Sequence, residues 1–143
     1  MIERKTQRFG LDLFIVHPSY DPADINTQVG MEGHIVQRVG DPRITPKGTR
    51  LPGRYPETRW RHCLKYEKKD QYYETEVTGF VNRLEARKVF FFELFATGGR
   101  GSLIIKFLGD DGHFGDEIPI TTLAKLVDLK LTLAVECCGV PQA

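Results

Sequence analysis

Serine, tryptophan and cysteine are scarce in this chain, and several classes of function drop out with them. Only two serines occur, Ser19 and Ser102, and neither sits in the Gly-x-Ser-x-Gly setting that exposes a hydrolase nucleophile. Three cysteines, Cys63, Cys137 and Cys138, make an odd count with no paired spacing. That pattern suits neither a disulfide framework nor a zinc site and fits a reducing cytoplasm. The four histidines, His17, His34, His62 and His113, are scattered, and the adjacent pair His62-Cys63 would point to opposite faces of a strand. No run of about 18 apolar residues could cross a bilayer, and the charged start of the chain has no signal-peptide apolar core behind it, so export is not expected. Gly98-Gly-Arg-Gly101 is too short for a phosphate-binding loop. The acidic stretch around Asp110, Asp111, Asp116 and Glu117 lacks the spacing of a twelve-residue calcium loop. No catalytic residue, metal site or cofactor is expected.

What is present is unevenly distributed. Between Arg38 and Arg61 the chain places seven Arg or Lys against two carboxylates, with four prolines, three glycines, Tyr55 and the sole tryptophan, Trp60. This local surplus of five cations leaves the rest of the chain at −4 within a total of +1. The 143 residues, 41% hydrophobic and 27% charged, match one globular domain over 1–143 with an irregular basic Pro/Gly-rich loop at about 40–57.

Periodicity supplies the elements. Asp12 to His17 reads as a strand apolar on both faces, and hence central. Asp21 as N-cap, Pro22 at the first helical position and Gly30 as terminator mark a helix from Pro22 to Val29. His34 to Val39 is a weak strand. From Thr58 the period is two, with Trp60, His62, Leu64 and Tyr66 on one face and Arg59, Arg61, Cys63 and Lys65 on the other. This places Arg59 and Arg61 side by side toward solvent. A helix from Gln71 to about Arg87 carries Tyr73, Val77, Phe80, Val81 and Leu84 as its buried stripe, and Gly79 within it suggests close packing against the sheet. Val89 to Phe95 reads as a strand buried on both faces, joined by a hairpin at Gly98–Gly101 to a strand from Leu103 to Leu108. A helix starting at Thr121 or Thr122 and a strand from Leu131 to Cys137 close the chain.

This order predicts an α+β fold, a largely antiparallel sheet with about three helices packed mainly on one face. The opening strand, helix and strand echo a split β-α-β unit, and the specific expectation is a ferredoxin-like core with an added hairpin, helix and strand.

The candidate site is the cationic stretch: Arg43, Lys47, Arg50, Arg54, Tyr55, Arg59 and Arg61, flanked by Trp60, as an anion-binding or partner-binding surface. Two destinations for its charge stay open. One is another molecule; the other is the chain's own carboxylates, in the acidic loop or at Glu93 and Glu136 on neighbouring strands. A sequence pI near 7.7 stands against a dedicated nucleic-acid domain, for which values above about 9 are usual.

His17-Pro-Ser-Tyr-Asp-Pro-Ala-Asp-Ile-Asn-Thr-Gln-Val-Gly30, followed by Arg38-Val-Gly-Asp-Pro42, Pro46-Lys-Gly48 and Thr58-Arg-Trp60, resembles the bacterial domain-of-unknown-function family DUF4279 over nearly the whole chain. The order and spacing of these loose motifs carry the likeness; the aromatic its pattern places near Gln37 is missing. The resemblance implies a small cytoplasmic bacterial α+β protein and supplies no catalytic residues. The expected function is a non-enzymatic protein-interaction domain, an immunity or regulatory factor with a protein partner or self-association. The alternatives are nucleic-acid or anion binding through the same residues, and an enzyme on an anionic small molecule with His34 or His62 as acid or base.

Overall fold

The computed structural model of the protein describes residues 7–68, 73–108 and 117–138. The elements run β1 (Gln7–His17), α1 (Pro22–Val29), β2 (Ile35–Gln37), β3 (Pro42–Ile44), β4 (Arg50–Arg54), β5 (Thr58–Lys68), α2 (Tyr73–Glu85), α3 (Lys88–Ala96), β6 (Arg100–Leu108), α4 (Ile120–Asp128) and β7 (Leu131–Cys138). Five strands form one sheet in the order β2-β5-β1-β6-β7, antiparallel except for the parallel β6–β7 pair, and β3 and β4 form a separate two-stranded ribbon. The fold is α+β, with four helices where about three were expected.

β1 is central because both of its faces are apolar enough to be covered. Phe9, Leu11, Leu13 and Ile15 are fully buried on one face, and on the other Val16 and even Asp12 are buried. It pairs with β5 on one side and β6 on the other. Hence β1 and β2 run parallel with β5 between them, and β5 and β6 run parallel with β1 between them, two interleaved split β-α-β connections. The helices meet the odd-numbered face of β1: Ile25 and Val29 from α1, Val77, Phe80, Val81 and Leu84 from α2, Phe90, Phe91 and Leu94 from α3, and Leu126 from α4 share one core with it.

α1 forms as its sequence dictates. The Asp21 carboxylate accepts a bond from the Ala23 amide at 2.9 Å, Pro22 begins the helix, and Gly30 ends it at φ 74°. Asn26 on its inner side then ties the helix to the sheet, its Oδ1 accepting from the Gly33 amide at 2.9 Å and from the Trp60 indole at 2.7 Å. Trp60 is thereby a fully buried core residue, and it does not flank a binding surface as expected.

The segment Val89 to Phe95 is helical, which corrects its assignment as a strand. A uniformly apolar run has no period to read, so nothing in Phe90-Phe-Phe92 separates the two conformations. The folded chain buries Phe90, Phe91 and Leu94, one helical stripe, and leaves Val89, Phe92 and Phe95 exposed. The glycines after it end this helix and do not turn a hairpin. Gly98 adopts φ 92°, its amide donates to Phe95 O at 3.3 Å, and the Gly99 amide donates to Leu94 O at 2.8 Å, the paired bonds of a glycine-terminated helix. Helices α2 and α3 therefore bridge β5 to β6 in sequence.

The supposed irregular loop at 40–57 is partly regular. Pro42–Ile44 and Arg50–Arg54 pair antiparallel around a tip at residues 45–49, where the Gly48 amide donates to Thr45 O at 2.8 Å. Proline and glycine mark the turns of this ribbon and mask its strands in the sequence.

Two glycines make opposite predictions. A Cβ on Gly33 would lie 2.4 Å from Trp60 Nε1, so Gly33→Ala is expected to lower stability by about 1–3 kcal/mol, the usual range for overpacking. Gly79, expected to mark a close approach, faces open space in mid-helix, so Gly79→Ala is expected to raise stability by roughly 0.4–1 kcal/mol. Urea titration of the two variants beside wild type checks both signs.

Candidate functional site

The neck of the ribbon is bonded on both sides. The Gly40 amide donates to Tyr55 O at 2.9 Å and the Tyr55 amide to Asp41 O at 3.0 Å. Thr58 ties this neck to the sheet: its hydroxyl donates to Tyr20 O at 2.6 Å and accepts from the Val39 amide at 3.1 Å. Farther out, the Tyr55 hydroxyl accepts from the Ile44 amide and donates to Ile44 O, both at 3.1 Å. Arg54 donates to Gly40 O at 2.8 Å and Arg43 to Pro52 O at 3.3 Å.

These anchors open a cleft of about 470 Å³ between ribbon and sheet, lined by Gln37, Arg43, Arg54, Tyr55, Pro56, Glu57 and Arg59. Four of the seven residues expected to form the site, Arg43, Arg54, Tyr55 and Arg59, meet there. Glu57 sets the local electrostatics, its Oε1 accepting from Arg59 Nε at 3.2 Å and Nη2 at 3.1 Å, with Arg100 at 3.9 Å. Lys47 and Arg50 are exposed on the ribbon but do not line the cleft. Arg38 is drawn away to Asp21 at 3.0 Å.

Arg61 is diverted as well, a correction to its placement beside Arg59 in solvent. It sits across from Phe14 on the sheet face opposite the four described helices, where its Nε donates to Asp12 Oδ2 at 2.6 Å and its Nη2 lies 3.7 Å from Glu136. From the opposite strand Lys106 Nζ meets the same Asp12 oxygen at 2.6 Å. Asp12 is only 1% exposed, and a charge so far from water costs free energy unless opposite charges reach it, as these two cations do. The partner foreseen for this charge is half right: Glu136 on β7 does pair with Arg61, whereas Glu93 lies on α3 and not on a strand. Asp110, Asp111 and Asp116 lie outside the described residues. Asp12 itself escaped the sequence reading, although a lone carboxylate within a central apolar strand was the signal for it.

The thiol and imidazole groups have other occupations. Burial first, and then the Asp12 charge, push the Cys63 thiol above its ordinary range, away from nucleophilic use. His34 and His62 stack with ring centroids 4.6 Å apart. His62 Nδ1 bonds Glu32 O at 2.6 Å, and His34 Nδ1 accepts from the Cys63 amide at 2.9 Å. Neither is among the residues lining the cleft, so the structure does not bring the two expected imidazoles to its arginines. Among the described residues, no group of three or more His, Cys, Asp or Glu is placed to hold a metal ion, and no helix is long and apolar enough to cross a membrane.

His17, at the end of β1, is 2% exposed and stacks on Tyr20 at 3.4 Å. Its Nδ1 accepts from the Ser19 and Tyr20 amides, each at 3.0 Å, which leaves the proton on Nε2, donated to Thr97 Oγ1 at 2.8 Å. Thr97 in turn donates to Glu93 O at 2.6 Å. A second proton would have to enter between Nδ1 and two amide hydrogens, and burial also lowers the pKa. A smaller hollow of about 230 Å³ lies nearby between α1 and α3, lined by Tyr20, Asp24, Ile25, Gln28, Phe90 and Glu93.

Asp12→Asn removes the carboxylate that Arg61 and Lys106 share, leaving Arg61 only Glu136 at 3.7 Å, and a loss of about 3–5 kcal/mol is expected in denaturant unfolding. For His17, the unfolded chain takes up a proton near pH ~6.5 while the folded chain takes it up only at lower pH. Its contribution is therefore complete above that value and shrinks as pH falls through the window below it. The melting temperature of wild type should drop more steeply between neutrality and mild acid than that of His17→Gln.

No family model, curated protein or solved structure matches this chain, so the cleft stands on its own geometry.

Proposed function

We propose that the protein is a non-enzymatic interaction domain, a regulatory or immunity factor, that takes an acidic segment of a protein partner into the cleft beneath the β3–β4 ribbon. The observation that carries this reading is the convergence of Arg43, Arg54 and Arg59 on one hollow. Each guanidinium has five N–H donors. Arg43 and Arg54 each give one to a backbone carbonyl, and Arg59 gives two to Glu57, so most of their donors face solvent. Planar forks in that state suit carboxylates, which they bind two bonds at a time. Glu57 within the cleft favours a ligand that brings both a carboxylate and a donor, as a peptide does.

A volume of about 470 Å³ accommodates a few side chains and does not offer a track along a phosphate backbone. With a net charge of +1, the protein also lacks the long-range attraction of a nucleic-acid binder. The free thiols at Cys63 and Cys137 agree with a reducing cytoplasm. The order β2-β5-β1-β6 within the sheet supports describing the core as ferredoxin-like, extended by α4 and β7 at one edge and by the ribbon between β2 and β5. The order of its sequence motifs supports kinship with the DUF4279 proteins.

The test compares binding of a fluorescent poly-glutamate peptide and of a single-stranded oligonucleotide of equal charge, at ~50 mM salt where phosphate contacts are strongest. Wild type should bind the peptide in preference. Arg43→Glu combined with Arg54→Glu, both at exposed positions, should weaken it at least tenfold with an unchanged melting curve. Equal peptide binding by the double variant, or a preference for the oligonucleotide, overturns the proposal.

A further inference from the structure

The two edges of the sheet differ. β2 closes one edge with three residues, too short to template another strand. β7 closes the other with eight, Leu131-Thr-Leu-Ala-Val-Glu-Cys-Cys138, paired only with β6 among the described residues. An open edge presents a row of backbone donors and acceptors, and natural proteins guard such edges with lysine, proline, a bulge or a covering element. β7 contains no lysine or proline, its register with β6 is continuous, and Glu136 is its single charge.

The helix above this edge is also incomplete. On α4, Thr122 and Leu126 are buried, and Lys125 reaches toward α2, its Nζ 2.7 Å from Asn82 and 3.4 Å from Glu85. At 100° per residue, Ile120, Leu123 and Val127 fall within roughly 40° of the side opposite Lys125. They form an apolar stripe facing away from α2 and out past the sheet edge, with Ile120 83% and Val127 69% exposed. Below them Val135 of β7, on the same face as Leu131 and Leu133, is 59% exposed.

We propose that this edge is a homodimer interface, in which β7 pairs antiparallel with β7 of a second copy and α4 packs beside its symmetry mate. The backbone edge calls for a strand, and the stripe above it calls for an apolar element riding on that strand. A lone extended peptide supplies the first and leaves the second uncovered; a second copy supplies both.

The side chains are self-complementary under such a twofold. With Ala134 on the axis, Leu133 faces Val135 and Leu131 faces Cys137 on the helix side, while Thr132 faces Glu136 on the other. No like charges oppose each other. The two five-stranded sheets become one continuous sheet, and the acidic-segment clefts, which lie at the β2 end of each, remain open.

The measurement is the solution mass of the full chain by light scattering behind gel filtration. Wild type should run at twice 16.3 kDa. Val127→Lys with Val135→Lys, and independently Ile120→Glu, should run at the monomer mass with unchanged circular dichroism. The second variant alters the most exposed of these positions, so its folding is the least at risk. A monomeric wild type, or a dimer that survives either correctly folded variant, overturns the proposal. Because poly-glutamate binding uses the opposite edge, its presence or absence does not affect this outcome.

Discussion

A single buried carboxylate constrains more of this molecule than any apolar contact does. Asp12 lies at the middle of the central strand on the sheet face opposite the four described helices, where a buried carboxylate needs cations in direct contact. Arg61 comes from one neighbouring strand and Lys106 from the other. Their meeting at one oxygen atom requires β5 and β6 to hold their observed registers against β1, because a slip of one residue would turn either cation to the opposite face. The same slip would turn Trp60 of β5 or Leu103 and Ile105 of β6 out of the core, so hydrophobic burial on the helix side enforces the same registers.

The same constraint divides the basic stretch in two. Arg61 belongs to the interior electrostatics of the sheet, and Arg59, two positions earlier and on the same face, belongs to the cleft. Local charge therefore overstated what the surface offers. Of the cations between Arg38 and Arg61, some serve the fold, as with Arg61 on Asp12 and Arg38 on Asp21, and the rest stay exposed on the ribbon and at the cleft.

How much of this was legible depends on how each element announces itself. α1 has a cap, a proline and a terminal glycine, each acting on its own backbone, and its structure follows the sequence residue by residue. β5 alternates, and Trp60 went to the core while Arg59 went to solvent, as period two demands. α3 failed because Val89 to Phe95 is apolar on nearly every side, and only the packing of Phe90, Phe91 and Leu94 chooses between the conformations. The ribbon was obscured because its prolines and glycines, correctly read as turn residues, also occupy strand positions at Pro42, Pro52 and Gly53. For the site, Arg43, Arg54, Tyr55 and Arg59 could be named in advance, but Gln37 joins them only through the pairing of β2 with β5, a non-local fact, whereas Glu57, two residues from Arg59, was open to a local reading.

The ribbon closes upon itself at its neck, through the reciprocal bonds of Gly40, Asp41 and Tyr55, before the chain re-enters the sheet. None of its exposed residues contributes to the hydrophobic core. The ribbon and the hydrophobic core are thus written in separable parts of the chain. Residues 42–54 can be lengthened, shortened or replaced by another closed hairpin while the sheet retains every contact that folds it. The scaffold could in this way present a different exposed surface by changing a dozen or so consecutive residues, a route to diversification that leaves its stability almost untouched.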